Sequence, residues 1–329
     1  MKKVFVCILA LCMVFSLCAC GNSGSSEEAY TPVDTDTVAV GAVIIARDDV
    51  PEDEIYAFVS TIFENTETLG EQHGKGKDLD LWFASSVSSV PYHPGAAKYF
   101  EEKGFSVPAV KDNAGAGDVR DLTFGTGGES GTYYAFGGVL SSFVSNNNDF
   151  TVTAVTSGGS KANIEDMAAG DVQLGFVQSD VMSYAYNGER LFESPVEGFS
   201  VVAALYMEQV QIVTTNSKIT SVADLKGKTV SIGAVGSGVY FNAIDVLNAY
   251  GLTENDIKPV YQSFGDSADS LKDGKIDAAF IVAGAPTNAI TDLATAGNVY
   301  LVALDADHTN ALLAASPFYS AYTIPAGTY

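Results

Sequence analysis

The chain has 329 residues, with 17 Lys and Arg against 40 Asp and Glu, and a formal net charge of −23. This balance argues against nucleic-acid binding, which needs clustered basic residues. All four cysteines lie within the first 20 residues, and the three histidines have no metal-ligand spacing. The rest of the chain therefore has no disulfide, and we expect no metal, no cofactor and no cysteine or histidine catalytic centre.

The N-terminus is predicted to be a secretory signal. Residues 1–20 carry two lysines and then an apolar run too short and wrongly flanked for an anchor helix. The ending LCAC before a glycine resembles the bacterial lipobox, which implies that Cys20 is lipidated, although Cys18 departs from the usual small or hydroxyl residue. A plain signal peptide is the alternative. Residues 21–36 are polar and form the predicted tether of an extracytoplasmic, membrane-anchored domain.

The next segment mixes strand and helix signals. Residues 37–47 are β-rich, and Pro51 opens a helix with one apolar stripe. Residues 79–90, which contain Trp82, are predicted to be buried. A short helix is expected over residues 94–103, with proline in its first turn and lysine in its last.

From Leu122 onward, strand and helix patterns alternate, which predicts an α/β fold with a mainly parallel sheet and ligands at the carboxyl ends of its strands. Residues 200–215 form a β-rich stretch longer than a usual strand and could cross between two lobes. We expect lobe one over residues 37–207, lobe two over 211–305, and a return segment over 306–329.

Three strand-to-helix turns are rich in glycine and hydroxyl residues. They lie within DLTFGTGGESGTYYAFGGVL (121–140), VTAVTSGGSKANIEDM (152–167) and TVSIGAVGSGVYFNAIDVL (229–247). The N–H groups that open a helix have no internal partner, and the helix dipole adds positive charge there. A single turn of this kind often occurs in α/β proteins without binding a ligand. Three together predict one small polar ligand between them.

The strand VQLGFVQSD ends in polar residues, among them Gln178 and Asp180. Such residues at the carboxyl end of a strand are candidates for the ligand site, where Asp180 could accept from a ligand ammonium group. Its alternative role is to cap the helix that follows.

These motifs together resemble the TAXI family, the extracytoplasmic solute receptors associated with TRAP-type transporters. The resemblance covers residues 37–329 and rests on the following segments: FGTGGESGTYYAFGG, TSGGSKANI, GFVQSD with AYNG, ALYMEQV, SVADLKGKTVSIGAVGSG, LKDGKIDAAF and PYHPGAAKYF. It implies a type II periplasmic-binding-protein fold, with two α/β lobes and a cleft that closes on a small carboxylate of the glutamate, glutamine or 2-oxo acid class.

The motif order departs from that of the family. Family members usually begin with the GTGG segment and end with the motif PYHPGAA, whereas here residues 37–104 come first. The chain therefore looks circularly permuted, with residues 111–120 as a linker that joins the ancestral termini. In that case residues 37–110 pack with 121–205, and Tyr329 lies near residues 31–37.

We expect a binding protein and not an enzyme. The first loop, GTGGESG, is not G-x-G-x-x-G, and no P-loop lysine follows it, which disfavours a nucleotide-binding enzyme. A surface lipoprotein, antigen or sensor with the same fold and no transport role is the alternative. The expected ligand-binding residues are Thr126, Gly127, Gly128, Thr132, Tyr133, Ser157, Gly158, Gly159, Ser160, Asn163, Gln178, Asp180, Tyr206, Gly236, Ser237 and Gly238. The expected partners are a small carboxylate, the TRAP membrane subunits and, through the lipid anchor, the membrane.

Overall fold

The computed structural model describes residues 32–329, so the predicted signal peptide, the lipidation at Cys20 and most of the predicted tether lie outside the described residues. The described strands are β1 (Thr35–Arg47), β2 (Asp121–Gly125), β3 (Thr151–Val155), β4 (Leu174–Gln178), β5 (Phe199–Thr214), β6 (Thr229–Ser231), β7 (Lys258–Val260), β8 (Ala278–Ala283), β9 (Tyr300–Leu301) and β10 (Ser320–Ile324). β1 begins at Thr35, two residues before the predicted start of this strand at residue 37.

The α-helices of this part of the chain are α1 (Glu52–Phe63), α2 (Thr66–Gln72), α3 (Leu81–Ala84), α4 (Pro94–Glu102), α5 (Thr132–Asn147), α6 (Ser160–Ala169), α7 (Ser179–Asn187), α8 (Val239–Ala249), α9 (Phe264–Lys272), α10 (Asn288–Ala296) and α11 (Ala306–Ala315). The helices predicted after Pro51 and over residues 94–103 are confirmed by α1 and α4. None of the described helices is long and apolar enough to cross a membrane.

A single mixed sheet runs through the described residues in the order β3-β2-β4-β1-β5-β8-β6-β7, with β10 beside β1 and β9 beside β5. In the first half-sheet, β3-β2-β4-β1, the first three strands are parallel and β1 is antiparallel to β4. In the second half-sheet, β7-β6-β8-β5, the first three strands are again parallel and β5 is antiparallel to β8. The two half-sheets thus repeat one pattern, and the predicted α/β class is confirmed.

Apolar side chains form separate cores on the two half-sheets. The first core draws on residues 42–100 and 122–206, together with Phe241. Along β8 the side chains alternate, so that Ala278, Phe280 and Val282 join a second core while Ala279, Ile281 and Ala283 join a third. The second half-sheet is therefore buried on both faces.

The two long strands connect the half-sheets. β5 pairs with β1 over Phe199–Gln209 and with β8 over Gln209–Val213, so it passes from the first half-sheet to the second. Its 16 residues are nearly all buried. This burial on both faces explains why the sequence there is almost continuously apolar.

The two ends of the described chain lie side by side. β10 is antiparallel to the start of β1, from Thr35 opposite Ile324 to Ala39 opposite Ser320. Ala326 N donates to Asp34 Oδ1 over 2.8 Å. Residues 320–326 thus lie beside residues 34–39, whereas the hydroxyl group of Tyr329 contacts Thr287 and Gln211. The joining of residues 42–100 with 122–206 in one core agrees with the permuted order, which stays a prediction.

The structure corrects the prediction that residues 79–90 are buried. Only one helical turn, α3, forms there, and Trp82 is 69% exposed. Leu81 and Phe83 pack on the first core, while Trp82 lies on the outer side of the turn. A single helical turn buries only the residues on one side. The apolar composition of this segment could not show which residues lie on that side.

We predict that His93 makes folding stability fall in acid. The imidazole is fully buried at the start of α4, where Nδ1 accepts from Gly95 N and Nε2 lies 3.0 Å from Val50 O. Burial lowers the pKa of His93 from 6.5 to about 4. As the pH falls, the imidazole is protonated in the unfolded chain before it is protonated in the folded one, which favours unfolding. The stability that neutral His93 contributes to the folded state is therefore complete above pH 6.5 and is lost as the pH falls towards 4, by up to about 3 kcal/mol.

Urea denaturation at several pH values in this range measures the loss. The His93→Gln variant is the control, and its stability should fall less over the same range. If the two proteins lose the same stability, His93 is not the titrating group.

Candidate ligand-binding site

The carboxyl ends of the parallel strands of both half-sheets converge on a cavity of about 80 Å³. Loops after β2 and β3 and the end of β4 form one side, while loops after β6 and β7 and the end of β8 form the other. The lining residues are Gly127, Gly128, Gly131, Thr132, Tyr133, Ser157, Gly158, Gly159, Ser160, Gln178, Glu208, Ala234, Ser237, Gly238, Val239, Ser263, Phe264, Val282 and Ala283.

Three helices begin at the cavity without a side-chain cap. The residues before α5, α6 and α8 are Gly131, Gly159 and Gly238, and none of them can supply a side-chain acceptor. By contrast, α9 is capped by Ser263, which accepts from Asp266 N over 3.1 Å. These helix starts, called uncapped because no side chain caps them, present N–H groups and partial positive charge to the cavity, which suits an anion. In α6 one of these groups, Ala162 N, is already bonded to the Gly236 carbonyl.

Direct hydrogen bonds hold the two sides of the cavity together. Ala162 N on α6 donates to the Gly236 carbonyl over 3.0 Å, and Thr132 Oγ1 donates to the Gly284 carbonyl over 3.0 Å. Ala289 N donates to the Ser130 carbonyl over 3.2 Å. The cleft between the half-sheets is therefore closed.

Glycine at position 238 makes this closure possible. A Cβ on Gly238 would overlap Gln178 Oε1 on the opposite side and lie 3.0 Å from Ser160 Oγ. The glycines of the three turns were expected to let the backbone approach a ligand. At Gly238, the absence of a side chain instead leaves room for Gln178 from the opposite side of the cavity.

Two buried polar atoms of the lining lack a hydrogen-bond partner within residues 32–329. They are Gln178 Oε1 and Ser237 Oγ, on opposite sides of the cavity. Gln178 Nε2 is engaged, since it donates to Asn242 Oδ1 over 2.9 Å. Buried polar atoms are nearly always paired, so these two are candidates to contact a bound ligand.

The lining also contains a buried carboxyl group, Glu208, which is 2% exposed. Its Oε2 accepts from the Tyr133 hydroxyl over 2.6 Å, and the Tyr133 ring stacks on Phe176 with centroids 4.6 Å apart. Burial raises the pKa of Glu208 to about 8 and holds the pKa of Tyr133 well above its usual value. Tyr133 therefore stays neutral and acts as the donor.

Eleven of the sixteen residues expected to bind the ligand line the cavity. They are Gly127, Gly128, Thr132, Tyr133, Ser157, Gly158, Gly159, Ser160, Gln178, Ser237 and Gly238. The only basic residue of these loops, Lys161, forms an ion pair with Glu165 outside the lining.

Four other expected residues support the cavity from outside its lining. Thr126 is fully buried and donates to the Val155 carbonyl over 2.6 Å, and Asn163 donates to the carbonyls of Thr126 and Phe176. Gly236 contacts the opposing loop through its carbonyl. Tyr206 is fully buried in the first core. The Thr126 hydroxyl, the Asn163 amide nitrogen and the Gly236 carbonyl are thus taken up by contacts between loops and strands. The Tyr206 hydroxyl and Asn163 Oδ1 are buried without a hydrogen-bond partner within residues 32–329.

Asp180, the remaining expected residue, lies outside the lining, and the residue before α7 is Gln178 and not Asp180. It is the second residue of α7, it is fully buried, and its Oδ2 accepts from Asn242 Nδ2 over 2.9 Å. Burial raises its pKa to about 6. The first turn of α7 directs this carboxyl group to α8 and away from the cavity.

Eight lining residues were not predicted from the sequence: Gly131, Glu208, Ala234, Val239, Ser263, Phe264, Val282 and Ala283. The sequence did point to Glu208, because it is the one charged residue within the apolar stretch 200–215. Buried charges are rare unless paired or functional. Among the described residues, no group of His, Cys, Asp and Glu is arranged to hold a metal ion.

Comparison with solved structures finds partial likenesses. The periplasmic aliphatic sulphonate binding protein SsuA from Escherichia coli is 21% identical, with 56% of this chain and 57% of that chain covered and a TM-score of 0.37. The alkanesulfonate-binding protein SsuA from Xanthomonas axonopodis pv. citri, bound to MOPS, is 20% identical, with 57% and 62% covered and a TM-score of 0.39. An ancestral arginine-binding protein bound to glutamine is 17% identical, with 57% and 80% covered and a TM-score of 0.40.

This chain thus spans less than two thirds of the length of the two sulfonate-binding proteins. With TM-scores below 0.5, these likenesses do not identify a ligand. The fold is the predicted type II periplasmic-binding-protein fold, in which two half-sheets of the same strand order close over a cavity. The model of the NMT1-like family matches residues 26–104 and 124–329, and the chain belongs to this family.

Proposed function

We propose that this protein captures a small carboxylate of the glutamate, glutamine or 2-oxo acid class outside the cytoplasm and delivers it to a TRAP-type membrane transporter. The observation that carries the proposal is the meeting of three uncapped helix starts, those of α5, α6 and α8, in one closed cavity. A carboxylate there accepts hydrogen bonds from backbone N–H groups and is stabilised by the helix dipoles.

The chemistry of the lining supports binding without catalysis. Among the described lining residues there is no imidazole, thiol, lysine or arginine, and the one carboxyl group is Glu208. The cavity, about 80 Å³, is several times the 10–15 Å³ that one water needs, which suits a ligand of few heavy atoms and not a nucleotide. We therefore propose a binding protein and not an enzyme.

The transporter partner and the anchor follow from the resemblance to TAXI receptors and from the lipobox-like ending at Cys20. Lipidation at Cys20 would keep the receptor close to its transporter. Uptake into vesicles that contain TRAP membrane subunits, with and without this protein, tests the delivery step. A surface antigen or sensor would bind its ligand and leave uptake unchanged.

Isothermal titration calorimetry of the purified chain with L-glutamate, L-glutamine, 2-oxoglutarate and taurine tests the ligand class. We expect saturable binding of at least one carboxylate and none of taurine, a sulfonate. Binding of taurine alone, or of none of the four, would remove the assignment to this carboxylate class.

We predict that Thr132→Ala and Ser157→Ala each weaken ligand binding by roughly 0.5–3 kcal/mol. The Thr132 hydroxyl bonds the Gly284 carbonyl across the cleft, and Ser157 Oγ accepts from Gly159 N over 3.0 Å at the start of α6. Each change removes a hydrogen bond that shapes the lining. Ser86→Ala, an exposed change in another loop, is the control for the same calorimetric titration. Unchanged affinity in both variants would exclude these loops from the site.

A further inference from the structure

Glu208 is placed in the cavity by two strong local constraints. Its backbone lies in β5, where it pairs with Val40 of β1, and its Oε2 is held by the Tyr133 hydroxyl at 2.6 Å. Tyr133 is in turn fixed by its stacking on Phe176, with an angle of 6° between the ring planes. The carboxyl group is therefore preorganised at the lining and has little freedom to turn away.

The charge of this carboxyl group is not balanced by the lining. The titratable and charged groups that act on Glu208 are Tyr133, Lys75 and Asp180, and Tyr206 packs beside it on the same strand. Lys75 lies 5.4 Å from the centre of the Tyr206 ring, outside the lining, and pairs with Asp78 at 2.9 Å. Desolvation by burial therefore outweighs the attraction of Lys75 and raises the pKa of Glu208 to about 8.

The same cavity thus offers two opposite electrostatic features. Three uncapped helix starts favour a carboxylate, and the ionised form of Glu208 favours a hydrogen-bond donor or a cation. An α-amino acid carries a carboxylate and an ammonium group on one carbon, so it can satisfy both features at once. A 2-oxo acid presents an acceptor oxygen in place of the ammonium group and leaves Glu208 without a cationic partner.

We propose that Glu208, held by Tyr133, binds the amino group of the ligand and selects an amino acid over the 2-oxo acid of the same carbon skeleton. This inference rests on the proposed function, because it takes the carboxylate at the helix starts as given. It reassigns to Glu208 the role that the sequence suggested for Asp180.

The unmodified protein provides the first test, through pH. Because an ammonium group requires the ionised form of Glu208, amino-acid binding releases a proton near neutral pH. We expect the affinity for L-glutamate to rise about tenfold per pH unit between pH 5.5 and 7.5. The affinity for 2-oxoglutarate should stay level over this range. Calorimetry in two buffers of different ionisation enthalpy should detect about one proton released per L-glutamate bound near neutral pH.

The second test uses variants and a panel of amino acids with their matching 2-oxo acids. Glu208→Gln should weaken amino-acid binding about 10- to 150-fold and change 2-oxo acid binding much less. Tyr133→Phe, which keeps the ring, should reduce the preference in the same direction. Glu54→Gln is the matched control: this carboxyl group is also 2% exposed but lies in α1, outside the lining, and its change should leave the preference intact.

The outcomes separate the two proposals. If 2-oxo acids bind more tightly than amino acids, or if Glu208→Gln leaves the preference unchanged, the role of Glu208 is wrong while the carboxylate site stands. If no member of either panel binds, both proposals fail. Should Glu208→Gln not fold, proton release by the unmodified protein and the preference of Tyr133→Phe decide.

Discussion

Gly238→Ala is expected to weaken ligand binding about 5- to 150-fold, because the added methyl group would collide with Gln178 Oε1 and prevent closure of the cleft. The collision lies between the two half-sheets, and the cores on each side are untouched. Overpacking of this kind costs about 1–3 kcal/mol. We therefore expect the cost to appear in the dissociation constant, measured by calorimetry, with little change in the unfolding midpoint.

The matched control for this prediction is Gly138→Ala. Gly138 lies in α5, outside the lining, and a Cβ there meets no atom within 4 Å. This variant should bind like the unmodified protein. Equal affinities for Gly238→Ala and Gly138→Ala would show that the closed arrangement is not the one that binds the ligand.

Phe176→Ala is expected to lower the free energy of unfolding by about 3–5 kcal/mol, as is typical of deleting a buried aromatic ring. Phe176 is fully buried in β4 and stacks on Phe124 and Tyr133 with centroids 5.0 and 4.6 Å away. Its removal leaves a cavity in the first core and frees the Tyr133 ring. Ligand affinity should therefore fall together with stability.

Urea denaturation and calorimetry measure these two effects. Trp82→Ala is the control, since it removes a larger aromatic group from an exposed site and should change stability by no more than about 0.5 kcal/mol. If Phe176→Ala lowers stability but leaves affinity unchanged, the position of Tyr133 does not depend on this stacking.

The sequence predicted those parts of the fold that local patterns specify. The alternation of strands and helices after Leu122 and the glycine-rich turns before α5, α6 and α8 follow from short-range signals, and the structure contains each of them. The displaced PYHPGAA motif predicted which distant segments share a core. Eleven expected site residues line the cavity because they lie directly at helix starts.

The direction of side chains could not be read from local patterns. Asp180 follows Gln178 by only two residues and both contact Asn242, yet only Gln178 lines the cavity. Glu208 comes to the cavity only because β5 passes from one half-sheet to the other. Both placements depend on pairings between residues far apart in the chain, which no short window of sequence contains.

The exposure of Trp82 decides which optical signal can report on this protein. It is the one tryptophan of the sequence, and its indole is 69% exposed on α3. Its emission should therefore already have the red-shifted maximum of an indole in water before any denaturant is added. Heating or urea would change this emission little even while the cores come apart. Spectroscopic work should follow the far-ultraviolet circular dichroism or the 16 tyrosines, several of which are buried.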